Sequence, residues 1–96
     1  MSNGRLKTYV GFVLRSNSAV FGFDNLKKSF KKVFCVVCDK TLGENTKNQI
    51  TNFCESKKVA LKELKSSVDS VFNTTNCKVV GITNKELAKQ ILECEE

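Results

Sequence analysis

Apolar residues recur along this chain at two different spacings. Leu6, Tyr9, Val10 and Val13 follow i, i+3, i+4, i+7, which predicts a first helix from about Gly4 to Arg15. Ser16, Asn17 and Ser18 stop it, and Asn17 suits the left-handed conformation that ends many helices. Ala19, Val20 and Phe21 make a short extended piece leading to Gly22. Phe23, Leu26 and Phe30 then fall at i, i+3, i+7, predicting a second helix that runs to Lys31 or Lys32. From Val33 to Cys38 every residue is apolar, many of them β-branched, as in a central strand buried on both faces. A third helix is expected to about Lys57, with Ile50, Phe53 and Cys54 inward and Lys57 and Lys58 complementing its C-terminal dipole. Thr41 with Glu44 fits a capping box at its start, and Asn45 fits equally well as the cap.

Val59 to Lys62 reads as a second, shorter strand nearer an edge. Leu64, Val68, Val71 and Phe72 repeat at i, i+4, i+7, i+8 and predict a short fourth helix. Asn73, Thr74, Thr75 and Asn76 form a polar loop, and Cys77 to Ile82 another strand. Thr83 with Glu86 fits a second capping box. The last helix should bury Leu87, Ala88, Ile91 and Leu92, leaving Glu93, Glu95 and Glu96 as a frayed acidic tail. Helical and strand periods alternate, which is the signature of an α/β fold, here a three-layer α/β/α arrangement in one domain over residues 1–96. No internal repeat, low-complexity tract or linker interrupts it.

Composition supports this picture. The chain is 41% hydrophobic and 27% charged, the balance of a globular domain rather than a disordered one. At 96 residues it can bury about 60–65% of its unfolded surface without covalent staples. No apolar run approaches ~18 residues and Met1 to Lys7 carries no signal segment, so a cytosolic protein with no membrane partner is expected. The net charge of +6 is unevenly placed. Residues 1–34 carry seven basic side chains against Asp24 alone, whereas residues 35–96 carry nine lysines against nine acids. Such segregation points to one basic surface facing a polyanion.

Candidate chemistry is sparse. The chain has no histidine, which excludes Ser-His and Cys-His nucleophilic sites, and no phosphate-binding glycine loop. Five cysteines, an odd number, read as reduced buried thiols. Cys35 and Cys38 have C-x-x-C spacing, but i and i+3 on a strand point to opposite faces, so no shared metal or disulfide is expected. Asp39 ends the central strand, where α/β folds place ligands. It is equally placed to cap the loop and helix that follow, which is the favoured reading. Neither catalysis nor a metal or cofactor is expected.

The stretch from Gly22 to Lys32 holds the clearest binding signal. A glycine lets a ligand approach the backbone, helix-start amides favour an anion, and Lys27, Lys28, Lys31 and Lys32 occupy the arc away from the apolar face. Two readings stay open: an RNA-docking edge, or an ordinary amphipathic helix with a solvated basic face. DNA-reading modules are usually all-helical, so RNA is the better nucleic-acid partner and no DNA is expected. Phe12, Phe21 and Phe23 lie near enough to stack on bases, although their spacing fits core packing better.

Several motifs in order resemble one family. Gly11 and Gly22 stand eleven apart, as in the bacterial pattern LGLAxRAGKLxxGxxxV. The strand ending in Asp39, followed by Thr41 and Asn45-Thr46-Lys47, is similar to VLLAxDxSxNTKKK. Cys54 falls where that pattern has a cysteine, and Val79 to Thr83 with Leu87, Ala88, Ile91 and Leu92 is similar to VVGITDxxLAxxIL. From Gly11 to Leu92 the chain thus resembles the ribosomal protein L-seven-Ae superfamily of kink-turn RNA binders, especially its small bacterial YlxQ-like members. The resemblance implies an α/β/α sandwich with a mixed, mostly four-stranded sheet. It also implies recognition of a kink-turn, a bent RNA helix with tandem sheared G·A pairs. In the family segment G-x-N-E-x-x-K, the Asn and Glu contact those pairs and the Lys reaches nearby RNA. The matching residues are Gly22, Asp24, Asn25 and Lys28, with Lys27, Lys31, Lys32 and Arg15 as phosphate ligands and the 73–76 loop as a second contact. Asp24 stands where the family has Asn, and Asn25 where it has an acid. Val68, Asp69 and Asn73 stand where it has LG…G, and Asn17-Ser18 where it has GK. The rival expectation is a protein-interaction or ribosome-associated module on the same fold.

Overall fold

The strands Ala19–Phe21 (β1), Cys35–Cys38 (β2), Ala60–Glu63 (β3) and Val79–Ile82 (β4) join into one sheet in a computed structural model that describes residues 2–65, 67–74 and 77–94. Their order is β1-β4-β2-β3. Strand β4 runs antiparallel to both β1 and β2, and β2 runs parallel to β3, so the sheet is mixed. All four residues of β2 and of β4 are buried. That explains why these segments read as unbroken apolar runs: strands covered on both faces have no solvent side to mark with polar residues.

Helices cover the two faces. Cys35, Val37, Val80 and Ile82 point to one side and pack with α1 (Ser2–Arg15), α4 (Val68–Phe72) and α5 (Lys85–Glu93). Val36, Cys38 and Val79 point to the other and pack with α2 (Phe23–Lys28) and α3 (Glu44–Lys57). The result is the expected three-layer α/β fold with a four-stranded mixed sheet. Cys35 and Cys38 fall into opposite cores, as their spacing requires. All five cysteines are buried, and none is joined in a disulfide. Burial pushes the Cys35 thiol up to about 12 and the Cys54 thiol to about 11, so both stay neutral. Among the described residues no helix is long and apolar enough to cross a membrane.

Several local expectations are corrected. The second helix does not run unbroken to Lys31: α2 ends at Lys28, and Phe30–Lys32 forms a separate 3-10 turn. The break lets both Phe23 and Phe30 meet the Phe53 ring edge-to-face, at 5.6 and 6.3 Å. Strand β2 begins at Cys35 rather than Val33. Val33 turns into the core, while Phe34 swings out and is 47% exposed. Strand β4 likewise starts at Val79 rather than Cys77, and α4 at Val68, after the buried Leu64. Neither capping box forms. Gly43 is the N-cap of α3, without a side-chain bond, because Thr41 is engaged with Asp39. Asn84, not Thr83, caps α5, accepting from the Leu87 N–H at 3.0 Å. Asn17 does take the left-handed conformation after α1, with φ 55°. Glu95 and Glu96 lie outside the described residues.

One glycine is fixed by packing. Gly81 sits mid-β4 opposite Val36, on the face covered by α2. A Cβ there would stand 2.6 Å from Leu26 Cδ1 and 3.0 Å from Val33 Cγ2. The missing side chain is what lets α2 lie directly on the sheet.

Candidate nucleic-acid interface

The turn from β1 into α2 is made by Gly22, at φ 89° and ψ 148°, a conformation that a Cβ would strain. Its N–H donates to the Val79 carbonyl at 3.1 Å, and its own carbonyl accepts from Leu26 N, so the turn is pinned to the sheet on one side and to the helix on the other. Beside it opens a cleft of about 600 Å³, between this turn, the entrance to β4 and the first turn of α3. Gly22, Phe23, Gly43, Thr46, Cys77 and Lys78 are among its walls.

Asp39 braces the loop that borders the cleft at Leu42 and Gly43. It is buried, and its carboxylate accepts from Thr41 N and Thr41 Oγ1, both at 2.8 Å, and from Val68 N at 3.1 Å. Burial works against its charge, but these hydrogen bonds and the nearby Lys78 outweigh it and hold the carboxyl below its ordinary range. Asp39 therefore ties the loop before α3 to the start of α4, rather than capping α3 itself. Lys78 Nζ reaches the same loop, donating to Thr41 Oγ1 at 3.2 Å.

Asp24 and Asn25 occupy the exposed first turn of α2. Asn25 Nδ2 donates to the Phe21 carbonyl at 2.9 Å. One of its two N–H donors is thereby engaged, and its oxygen remains available as an acceptor. Next to Phe72, whose ring meets that of Phe21 edge-to-face at 6.4 Å, Asn73 ends α4 in the left-handed conformation, φ 56°. It makes there the turn that a glycine makes in the family pattern, at the steric cost Asn tolerates best after glycine. Asp69 holds the loop that follows: its Oδ1 accepts from Thr74 Oγ1 at 2.9 Å and from Cys77 N at 2.8 Å. Thr75 and Asn76 lie outside the described residues.

The basic residues do not form one cluster. Ala19 and Cys35 both pair with Ile82, so Ser18, Phe34 and Thr83 mark one end of the sheet; Gly22, Asp39 and Lys78 mark the other. Arg15 precedes Ser18, and Lys31 and Lys32 lead into Val33, so these three belong to the end away from the cleft, about 10 Å along the strands. Lys27 and Lys28 lie between. Lys27 Nζ rests 4.4 Å from the centre of the Phe23 ring, whereas Lys57 Nζ rests 4.4 Å from that of Phe30. The candidate residues are thus spread over the sheet rather than gathered in a patch: Gly22, Asp24 and Asn25 at the cleft, Lys27 and Lys28 beside it, Lys31 and Lys32 toward the far end, and Arg15 at that end on α1, which covers the opposite face. Thr46 and Lys78 also border the cleft, and neither is among the binding residues expected from the sequence. The signal for this end of the sheet was the C-terminal end of the central strand, where α/β folds open toward ligands.

No protein-family model and no curated protein matches this chain. Among solved structures it is similar to a protein with unknown function from Bacillus halodurans, with a TM-score of 0.83 over 92% of this chain and 93% of that one, at 15% identity. A likeness at that identity shows the shared α/β fold, across nearly the whole of both chains.

Proposed function

We propose that this chain is a cytoplasmic, non-enzymatic RNA-binding protein of ribosomal type and a member of the L-seven-Ae superfamily, taking a kink-turn or related structured RNA at the cleft beside Gly22. The observation that carries the reading is that the strained Gly22 turn and the exposed first turn of α2 border the cleft, with the end of α4 tied to them through the Phe21–Phe72 ring contact. In this reading Gly22 lets the RNA backbone come close. The Asn25 oxygen and the Asp24 carboxylate accept from guanine N–H groups of sheared G·A pairs. Lys28 and Lys78 neutralise phosphates at the cleft, and an RNA arm continuing along α2 meets Lys31 and Lys32 after a further turn. A ribosomal RNA or the assembled ribosome fits such a footprint.

The second reading is a protein-interaction module on the same fold. Asp24 favours it, as an exposed carboxylate at the cleft mouth repels phosphates. Titration with a kink-turn and with a plain duplex of equal length separates the two: structure-specific preference supports RNA recognition, and salt-sensitive indifference supports the alternative.

A further inference from the structure

A second concavity, about 480 Å³, lies between α2 and α3 and is walled by Phe23, Lys27, Gln49, Asn52, Phe53 and Ser56. It neighbours the cleft, as Phe23 borders both. Its floor is aromatic, with the Phe23 and Phe53 rings edge-to-face. The exposed amides of Gln49 and Asn52 stand three residues apart on α3, and so on one helix face. Lys27 covers the Phe23 ring from the α2 side, with Lys57 a short way along the same ring cluster over Phe30.

We infer that this groove is a subsite for an unpaired nucleotide flanking the structured RNA, a base stacking on Phe23 and Phe53 with its edge on Gln49 and Asn52. The inference rests on the RNA reading above and extends its footprint past the cleft. Three parts of a nucleotide find three kinds of group here. A base finds a π-surface, its polar edge finds two amides that each donate and accept, and its phosphate finds an ammonium. Lys27 over Phe23 acts as an exchangeable cover, because an exposed cation–π contact is weaker than a base–aromatic stack. When a base takes the ring face, the released ammonium is beside the phosphate that arrives with it. An acidic peptide would use the lysines but would leave the rings and the paired amides without a role.

The test compares three RNAs by fluorescence titration: a kink-turn, the same kink-turn with four unpaired uridines on one strand, and the tetranucleotide U4 alone. They are measured against the unaltered protein, the surface double variant Q49A/N52A, and Phe53→Leu, which keeps an apolar residue in the core. The extension is expected to tighten binding about fivefold or more. Both variants are expected to remove that gain while binding the unextended kink-turn as before. No gain from the extension, or a gain that survives in both variants, overturns the subsite. Binding of U4 that Q49A/N52A abolishes, with no binding to the kink-turn itself, upholds the groove and removes the kink-turn reading. Binding to none of the three RNAs removes both. Displacement of bound U4 by polyglutamate that is insensitive to Phe53→Leu assigns the groove to an acidic protein instead and overturns the inference.

Discussion

The side-chain amide of Asn25 donates to the Phe21 carbonyl at 2.9 Å, so its orientation is set by the last residue of β1. The acidic residue that the family pattern has at this place is an acceptor. Asn25 keeps an acceptor oxygen there, with one of its two N–H donors engaged by Phe21. Asn25→Ala should therefore lower the preference for a kink-turn over a duplex about tenfold, the worth of one or two hydrogen bonds. Stability should change by less than about 1 kcal/mol, as the residue is exposed. An unchanged preference in paired titrations would remove Asn25 from recognition.

Lysines along α2 are not equivalent. Lys27 is drawn onto the Phe23 ring, whereas Lys28 is exposed one residue further round the helix. Lys28→Ala should weaken RNA binding and reduce the slope of log affinity against log salt by about 0.7–0.9, the counterions of one phosphate. Slopes measured over a fourfold salt range decide this, and an unaltered slope would place Lys28 off the RNA.

Asp39 carries a stability prediction with a definite sign. Its folded-state pKa is lowered, so its contribution is present at neutral pH and is lost as pH falls below about 4 and through the folded value. Asp39→Asn exchanges a charged acceptor for an amide facing the Thr41 and Val68 donors. The cost should be about 2 kcal/mol or more at pH 7. The variant's stability should also fall less steeply between pH 4 and pH 2 than that of the unaltered protein. Urea unfolding across that range measures both, and parallel pH profiles would exclude Asp39 as the responsible carboxylate.

Gly81→Ala should destabilise the domain by about 1–3 kcal/mol, the usual cost of overpacking. The added methyl meets Leu26 and Val33, which are themselves buried between α2 and the sheet. Thermal unfolding should register a fall of about 4–8 °C per kcal/mol. A variant of unchanged midpoint would show that α2 can lift from β4 without loss.

Much of the fold was legible because period and burial agree. Residues Leu6 to Val13 repeat as a helix and are buried as one, and β2 and β4 read as core strands because both faces are covered. Local chemistry was less legible where a residue had two partners to choose from. Thr41 matched a capping box, yet a buried carboxylate two residues earlier is a stronger partner than a solvent-facing helix end. Phe30 matched the helical period, but the ring of Phe53 draws it into a separate turn. The same limit applies to the site. The resemblance to the family pattern joins Gly22, Asp24, Asn25 and Asn73 in one expected site, while charge counting adds Arg15 and Lys32. Only the sheet register puts those two at the opposite end.

The most direct measurement is a fluorescence titration with two RNAs of equal length, one a kink-turn and one a plain duplex, each at two salt concentrations. Recognition through the Gly22 turn predicts a preference of about a hundredfold or more for the kink-turn, roughly 2.7 kcal/mol, that persists as salt rises. Equal affinities that fall together with salt would contradict it and leave α2 as an electrostatic surface for some other partner.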